Sequence, residues 1–122
     1  MTNFELFSLI YFVLDAEYDS SDKTDEQLMH FVSELNPFLW AEESSADPAY
    51  YEEFKSFMKD KTIGSDMGYS LALEFLSNDI YYSRIPEYFQ KQLLKNGVLV
   101  QRSIYQNLTK VENSHNNVAL RI

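Results

Sequence analysis

The stretch from Leu6 to Leu14 constrains this chain more than any other feature. Apart from Ser8 every residue in it is apolar, and Phe4, Leu6, Phe7, Ile10, Tyr11 and Leu14 recur at helical spacing. Phe12 and Val13 close most of the remaining circumference. A helix that is apolar on nearly every side has to be enclosed, so the reading is a helix over about Asn3–Tyr18 in the middle of the fold. Thr2 or Asn3 caps it. The stretch falls short of the roughly 20 residues that cross a bilayer. Glu5 precedes it and Asp15, Glu17 and Asp19 follow, where a secretory signal carries basic and then small residues. The expected location is the cytoplasm, with no membrane partner.

Four further helices can be read from their start and stop signals. Thr24 reads as an N-cap with Gln27 completing a capping box, and Leu28, Phe31, Val32 and Leu35 form one stripe that Pro37 ends. Asp47 followed by Pro48 opens a third helix whose inward face is Tyr50, Tyr51, Phe54, Phe57 and Met58. Thr62 to Gly64 reads as a turn. Ser65 is the expected cap of a fourth helix reaching about Ile80, apolar at Leu71, Ala72, Leu73, Phe75 and Leu76 and therefore also central. Pro86 opens a fifth with Tyr88, Phe89, Leu93 and Leu94, closed by Asn96-Gly97. Beyond it, Val100, Ile104, Leu108 and Val111 fit a sixth helix, while Val98-Leu99-Val100 equally fits a short strand.

A chain of 122 residues with 45% hydrophobic and 16% aromatic content has material for one real core. Three glycines and three prolines speak against a many-turned sandwich or a phosphate-cradling loop. The expected fold is an all-α, single-domain bundle of five or six helices over residues 1–122, packed around the first and fourth. Residues 113–122 are expected as a flexible tail, with a short C-terminal strand as the alternative for part of this end.

Charge is distributed unevenly. The net formal charge is −9, yet residues 1–60 alone hold fourteen acids against three lysines, a net of −11. Residues 61–122 carry a net of +2. Such acidity disfavours direct contact with nucleic acid. It either serves solubility or steers a basic partner, raising on-rate and specificity.

Catalytic patterns are not found. The absence of cysteine excludes thiolate nucleophiles, thiolate metal sites and disulfides. There is no Gly-x-Ser-x-Gly elbow, and neither His30 nor His115 has a motif context that makes it a base. His30, beside the second helix's stripe, reads as a half-buried packing residue and His115 as a solvated tail residue. Asp15, Glu17, Asp19, Asp22 and Asp25 suggest a calcium loop, but Ser20 stands where such a loop needs glycine. Glu42-Glu43 and Glu52-Glu53 are adjacent pairs, and adjacent residues on a helix do not face each other as a glycosidase dyad must. No metal, cofactor or reaction is expected, and the chain reads as non-catalytic.

The connector between the second and third helices is the candidate site. It holds Trp40, the only tryptophan, beside Phe38 and Leu39, and then Glu42, Glu43 and Asp47, with Tyr50 and Tyr51 on the next helix. Tryptophan and tyrosine anchor interfaces, and acids beside them suit a basic partner. The expected partner-binding residues are Trp40, Glu42, Glu43, Asp47, Tyr50 and Tyr51. The rival reading has Phe38, Leu39 and Trp40 plugging the core.

Asn36-Pro37-Phe38-Leu39-Trp40 followed by Ser45-Ala46-Asp47-Pro48-x-x-Tyr51 resembles segments of small bacterial proteins, some of them similar to immunity proteins of polymorphic-toxin and contact-dependent growth inhibition systems. The resemblance covers residues 36–51 and carries over no catalytic residue. It implies a cytoplasmic inhibitor that binds a cognate toxin domain, often an acidic protein blocking a basic nuclease. The functional expectation is therefore an acidic protein-binding module of the immunity or antitoxin type. The alternative is a regulatory or scaffold domain that forms a homodimer, and a small enzyme using carboxylates and tyrosines is a third reading.

Overall fold

The computed structural model describes residues 1–64, 68–78 and 83–93. Its elements are helices in the order α1 (Asn3–Ser20), α2 (Glu26–Leu35), α3 (Pro48–Met58) and α4 (Tyr69–Ser77). A fifth, α5, covers residues 85–93. The result is a compact helical bundle, as the spacing of apolar residues indicates. The expected end of the fifth helix at Asn96-Gly97, the sixth helix or short strand, His115 and the tail over 113–122 lie outside the described residues.

α1 is the centre. Its Leu6, Phe7, Leu9, Ile10, Val13 and Leu14 are completely enclosed, and α2, α3 and α4 all pack against it. Each such side chain contributes about 1.5–3 kcal/mol relative to exposure. The helix starts at a capping box: Thr2 Oγ1 accepts from Glu5 N–H, and Glu5 Oε1 accepts from Thr2 N–H. It runs two residues past the expected end at Tyr18, to Ser20.

An aromatic ladder fixes how α3 and α4 lie on α1. Tyr51 of α3 meets Phe4 edge-on at 5.6 Å and Phe7 at 5.2 Å between ring centroids. Phe54, one turn on, lies 5.4 Å from Phe7 and 5.0 Å from Phe75 of α4. Phe57 also meets Phe75, at 5.5 Å. From the other side Phe31 of α2 meets Tyr50 edge-on at 5.4 Å. Edge and tilted contacts of this kind add about 0.5–1.5 kcal/mol each beyond their area.

Several expectations shift. α2 is capped by Asp25 rather than Thr24: the Asp25 carboxylate accepts from Leu28 N–H, so the helix begins one residue later and no box forms with Gln27. His30 is exposed rather than half-buried, on the solvent side of α2. α4 begins at Tyr69, not after Ser65, because Gly68 takes φ +80° and turns the chain into the helix. It is less central than its composition implies, fully burying only Ala72 and Leu76. α5 starts at Ile85, with Pro86 inside its first turn.

α5 is held by Ile85 and Phe89 in the core and by two polar ties. Lys91 Nζ lies 3.4 Å from an oxygen of the buried Glu17 on α1. The Tyr88 hydroxyl donates to the second oxygen of Asp25. That hydrogen bond holds the Asp25 carboxyl below the usual carboxylate range and pushes the Tyr88 phenol up.

Two outcomes follow. A Cβ at position 68 would stand 2.8 Å from both terminal carbons of the enclosed Leu6, at a positive φ. Gly68→Ala should therefore cost about 1–2 kcal/mol in urea unfolding. Because the Asp25 pKa is lowered on folding, its contribution is present above the unfolded carboxylate value and is lost as pH falls through the folded one. Tyr88→Phe should lower stability at neutral pH while changing it little at pH values where Asp25 is protonated in both states, which flattens the acid limb of a stability-versus-pH curve.

Candidate functional site

The connector over residues 36–47 places a turn, three large exposed apolar side chains and three acids in one segment. Asn36 sets the turn, its side-chain oxygen accepting from Phe38 N–H at 2.9 Å. Pro37 is buried beside it and ends α2. Phe38, Leu39 and Trp40 then emerge into solvent with 42%, 62% and 45% of their surface exposed. The rival reading in which they plug the core is thereby excluded. Glu42 and Glu43 are exposed as well.

Ser45 is the anchor of this segment, and nothing in its residue type announces it. It is completely buried. Its carbonyl accepts from the Trp40 indole Nε1–H at 2.8 Å, which pins the ring while leaving much of it in water. Its hydroxyl accepts from Tyr51 N–H at 3.0 Å and donates to the Asp47 carbonyl at 2.6 Å, bridging the first turn of α3. Asp47 N–H in turn donates to the Glu34 carbonyl, which sews the connector back to α2. Asp47 caps α3 through its carboxylate to Ala49 N–H.

The expected binding residues are thus divided. Trp40, Glu42 and Glu43 are all exposed. Asp47 is exposed, but its carboxylate is engaged in capping. Tyr50 is half-buried against Phe31. Tyr51 is a correction: only 4% exposed, it is a core residue packed on Phe4 and Phe7, with the Lys55 ammonium over its ring at 5.2 Å. Burial, then the charges of Glu43 and Glu52, push its phenol up to about 12.

Sequence reasoning left α1 out of this face. Phe38 is edge-on to Tyr11 at 5.6 Å and tilted against Phe12 at 5.5 Å. Both α1 rings are only partly buried. Their signal was available, since they widen an already sufficient apolar stripe. In the sequence alone that widening is indistinguishable from more core.

Elsewhere the chemistry is structural. An open depression of about 530 Å³ is lined by Thr24, Asp25, Glu26, Gln27, Arg84 and Tyr88. Asp25 there spends one oxygen on capping α2 and the other on Tyr88. Among the described residues no group of three or more His, Asp or Glu side chains is placed to hold a metal ion. No described helix is long and apolar enough to cross a membrane.

No family model, curated protein or solved structure matches this chain, so its site is read from its own geometry.

The two roles in the connector separate by mutation. Ser45→Ala removes both bridging bonds at a buried position and should cost about 1–3 kcal/mol. Trp40→Phe removes one indole hydrogen bond from a half-exposed ring and should cost about 1 kcal/mol. Thermal or urea unfolding of the two variants ranks them, and a larger loss for Trp40→Phe would place the tryptophan in the core.

Proposed function

We propose that this protein is a non-catalytic, acidic protein-binding module that acts as an immunity or antitoxin-type inhibitor of a basic toxin or nuclease domain in the cytoplasm. The observation that carries the reading is the exposed run Phe38-Leu39-Trp40, held outside the core by its own hydrogen bonds and followed by Glu42 and Glu43. Large apolar side chains on a tied-down loop give a partner anchors whose ordering cost is already met. The acids beside them favour a basic partner and speed its approach. The resemblance drawn from residues 36–51 implies the same class of partner.

In this reading the inhibitor needs no chemistry of its own. It covers a basic surface and thereby excludes that surface's anionic substrate. The charge belongs in the encounter and the aromatic side chains in the retention, a division that kinetics resolves.

The test co-expresses this protein with the product of the adjacent open reading frame and asks whether a basic domain of that product co-purifies with it. Association should slow steeply as salt rises from low to physiological ionic strength, where the Debye length is about 8 Å. Glu42→Ala/Glu43→Ala should slow association with little change in melting temperature, since exposed acids contribute little to stability. Trp40→Ala should weaken binding by about 2 kcal/mol, roughly thirtyfold, mainly through faster dissociation. Wild-type binding by both variants, or no complex and no protection from the neighbouring protein's toxicity, would overturn the proposal.

A further inference from the structure

Resting on that reading, we infer that the docking face extends beyond the connector onto α1, where Tyr11 and Phe12 floor the contact made by Phe38, and Asp15 with Asp19 receive a lysine or arginine from the same partner segment. The occupant this face fits is a basic amphipathic helix of the partner, with an apolar side chain and a cation one turn apart.

Contiguity is the first support. Phe38 lies against both Tyr11 and Phe12, and those two rings lie 5.5 Å from each other, so the three form one partly exposed cluster. Leu39 and Trp40 continue it along the chain with large exposed surfaces. The second support is register. Tyr11, Asp15 and Asp19 are spaced four apart and share a face of α1, each step about 6 Å along the axis. A partner helix laid along α1 would advance by the same step. Its apolar residue on the aromatic cluster would bring a Lys or Arg one turn on over Asp15.

Electrostatics supplies the third support. The Asp15 carboxyl is pushed up by its partial burial and by the charge of Asp19. The Tyr11 phenol is pushed up by burial and then by both acids. These groups therefore sense one another across the face. Lys23 offsets them, its Nζ 3.6 Å from Asp19, but both members of that pair are about three-fifths exposed. Such a pair is worth little in water and gives way to a better-placed cation at small cost. A partner cation that also covers the rings would act in a drier setting, where charge pairing and contact with the aromatic faces both strengthen.

The test uses a synthetic capped helix-forming peptide with Leu and Lys placed four residues apart, followed by the fluorescence of Trp40 and by the peptide's anisotropy. Matched peptides replace Leu by Ala or Lys by Glu. The Leu/Lys peptide should bind the wild-type protein and shift Trp40 emission, while both matched peptides bind at least about tenfold more weakly. Asp15→Asn/Asp19→Asn should weaken the Leu/Lys peptide by about tenfold, with folding checked by circular dichroism. Asp15→Asn alone is the milder companion should the double variant lose helix content. Glu52→Gln/Glu53→Gln, on the solvent side of α3, should leave binding unchanged. Loss of binding in Trp40→Ala with wild-type binding in the Asp15 and Asp19 variants would keep the connector as a binding site and overturn its extension onto α1. Equal binding by all variants would overturn both. A dimer of this chain that buries Trp40 and excludes the peptide would assign the face to a second copy and overturn the basic helix as its occupant.

Discussion

Enclosure of α1 is the constraint on which the rest of the structure depends. A helix with Leu6, Phe7, Leu9, Ile10, Val13 and Leu14 fully withdrawn from water needs neighbours on several sides. Those neighbours are short, and each fully buries only two to four residues. They are held through α1 and through the rings that run from Phe4 and Phe7 across Tyr51 and Phe54 to Phe75. Sheet pairing plays no part among the described residues. The fold is a central rod with amphipathic helices laid around it.

With the core filled in this way, apolar side chains in the connector have a different meaning. Pro37 is buried and the next three residues are not, so the boundary between interior and surface falls at a single peptide. The segment is nevertheless ordered by polar ties. Asn36 makes the turn, Ser45 holds the indole and the start of α3, and Asp47 returns a backbone bond to α2. Exposing three large apolar residues forgoes several kcal/mol of burial that an interior position would have supplied. Under the proposed function, that cost is compensated when the partner covers the patch.

The helical elements were legible because the physics that forms them is local. Thr2, Asp47-Pro48 and Pro37 mark ends through capping or dihedral restriction, and the stripe of α2 follows from period alone. Where the reading slipped, competing donors or long-range contacts decided. Thr24 and Asp25 are both good caps, and Asp25 gains the Tyr88 hydroxyl from a residue 63 positions away. α4 has an apolar sequence that promises a centre, yet α1 already occupies it. The connector's exposed Trp40 and acids agree with its reading as a surface segment, whereas Tyr51 could not be sorted from Tyr50. Adjacent tyrosines at the start of a helix differ only in which one meets Phe4 and Phe7. The role of Ser45 had no signal in the sequence, since it comes from being buried between two backbone groups.

The central claim is that Trp40 stays half in water on a folded core. Because it is the only tryptophan, its fluorescence reports on this position alone. The direct measurement is acrylamide quenching of Trp40 in the free, monomeric protein at neutral pH, compared with the urea-unfolded chain. The account predicts substantial quenching in the folded state, intermediate between a buried indole and the unfolded chain, with anisotropy showing that the ring itself is held. A folded-state emission that is blue-shifted and resistant to acrylamide would contradict it, because the ring would then belong to the core.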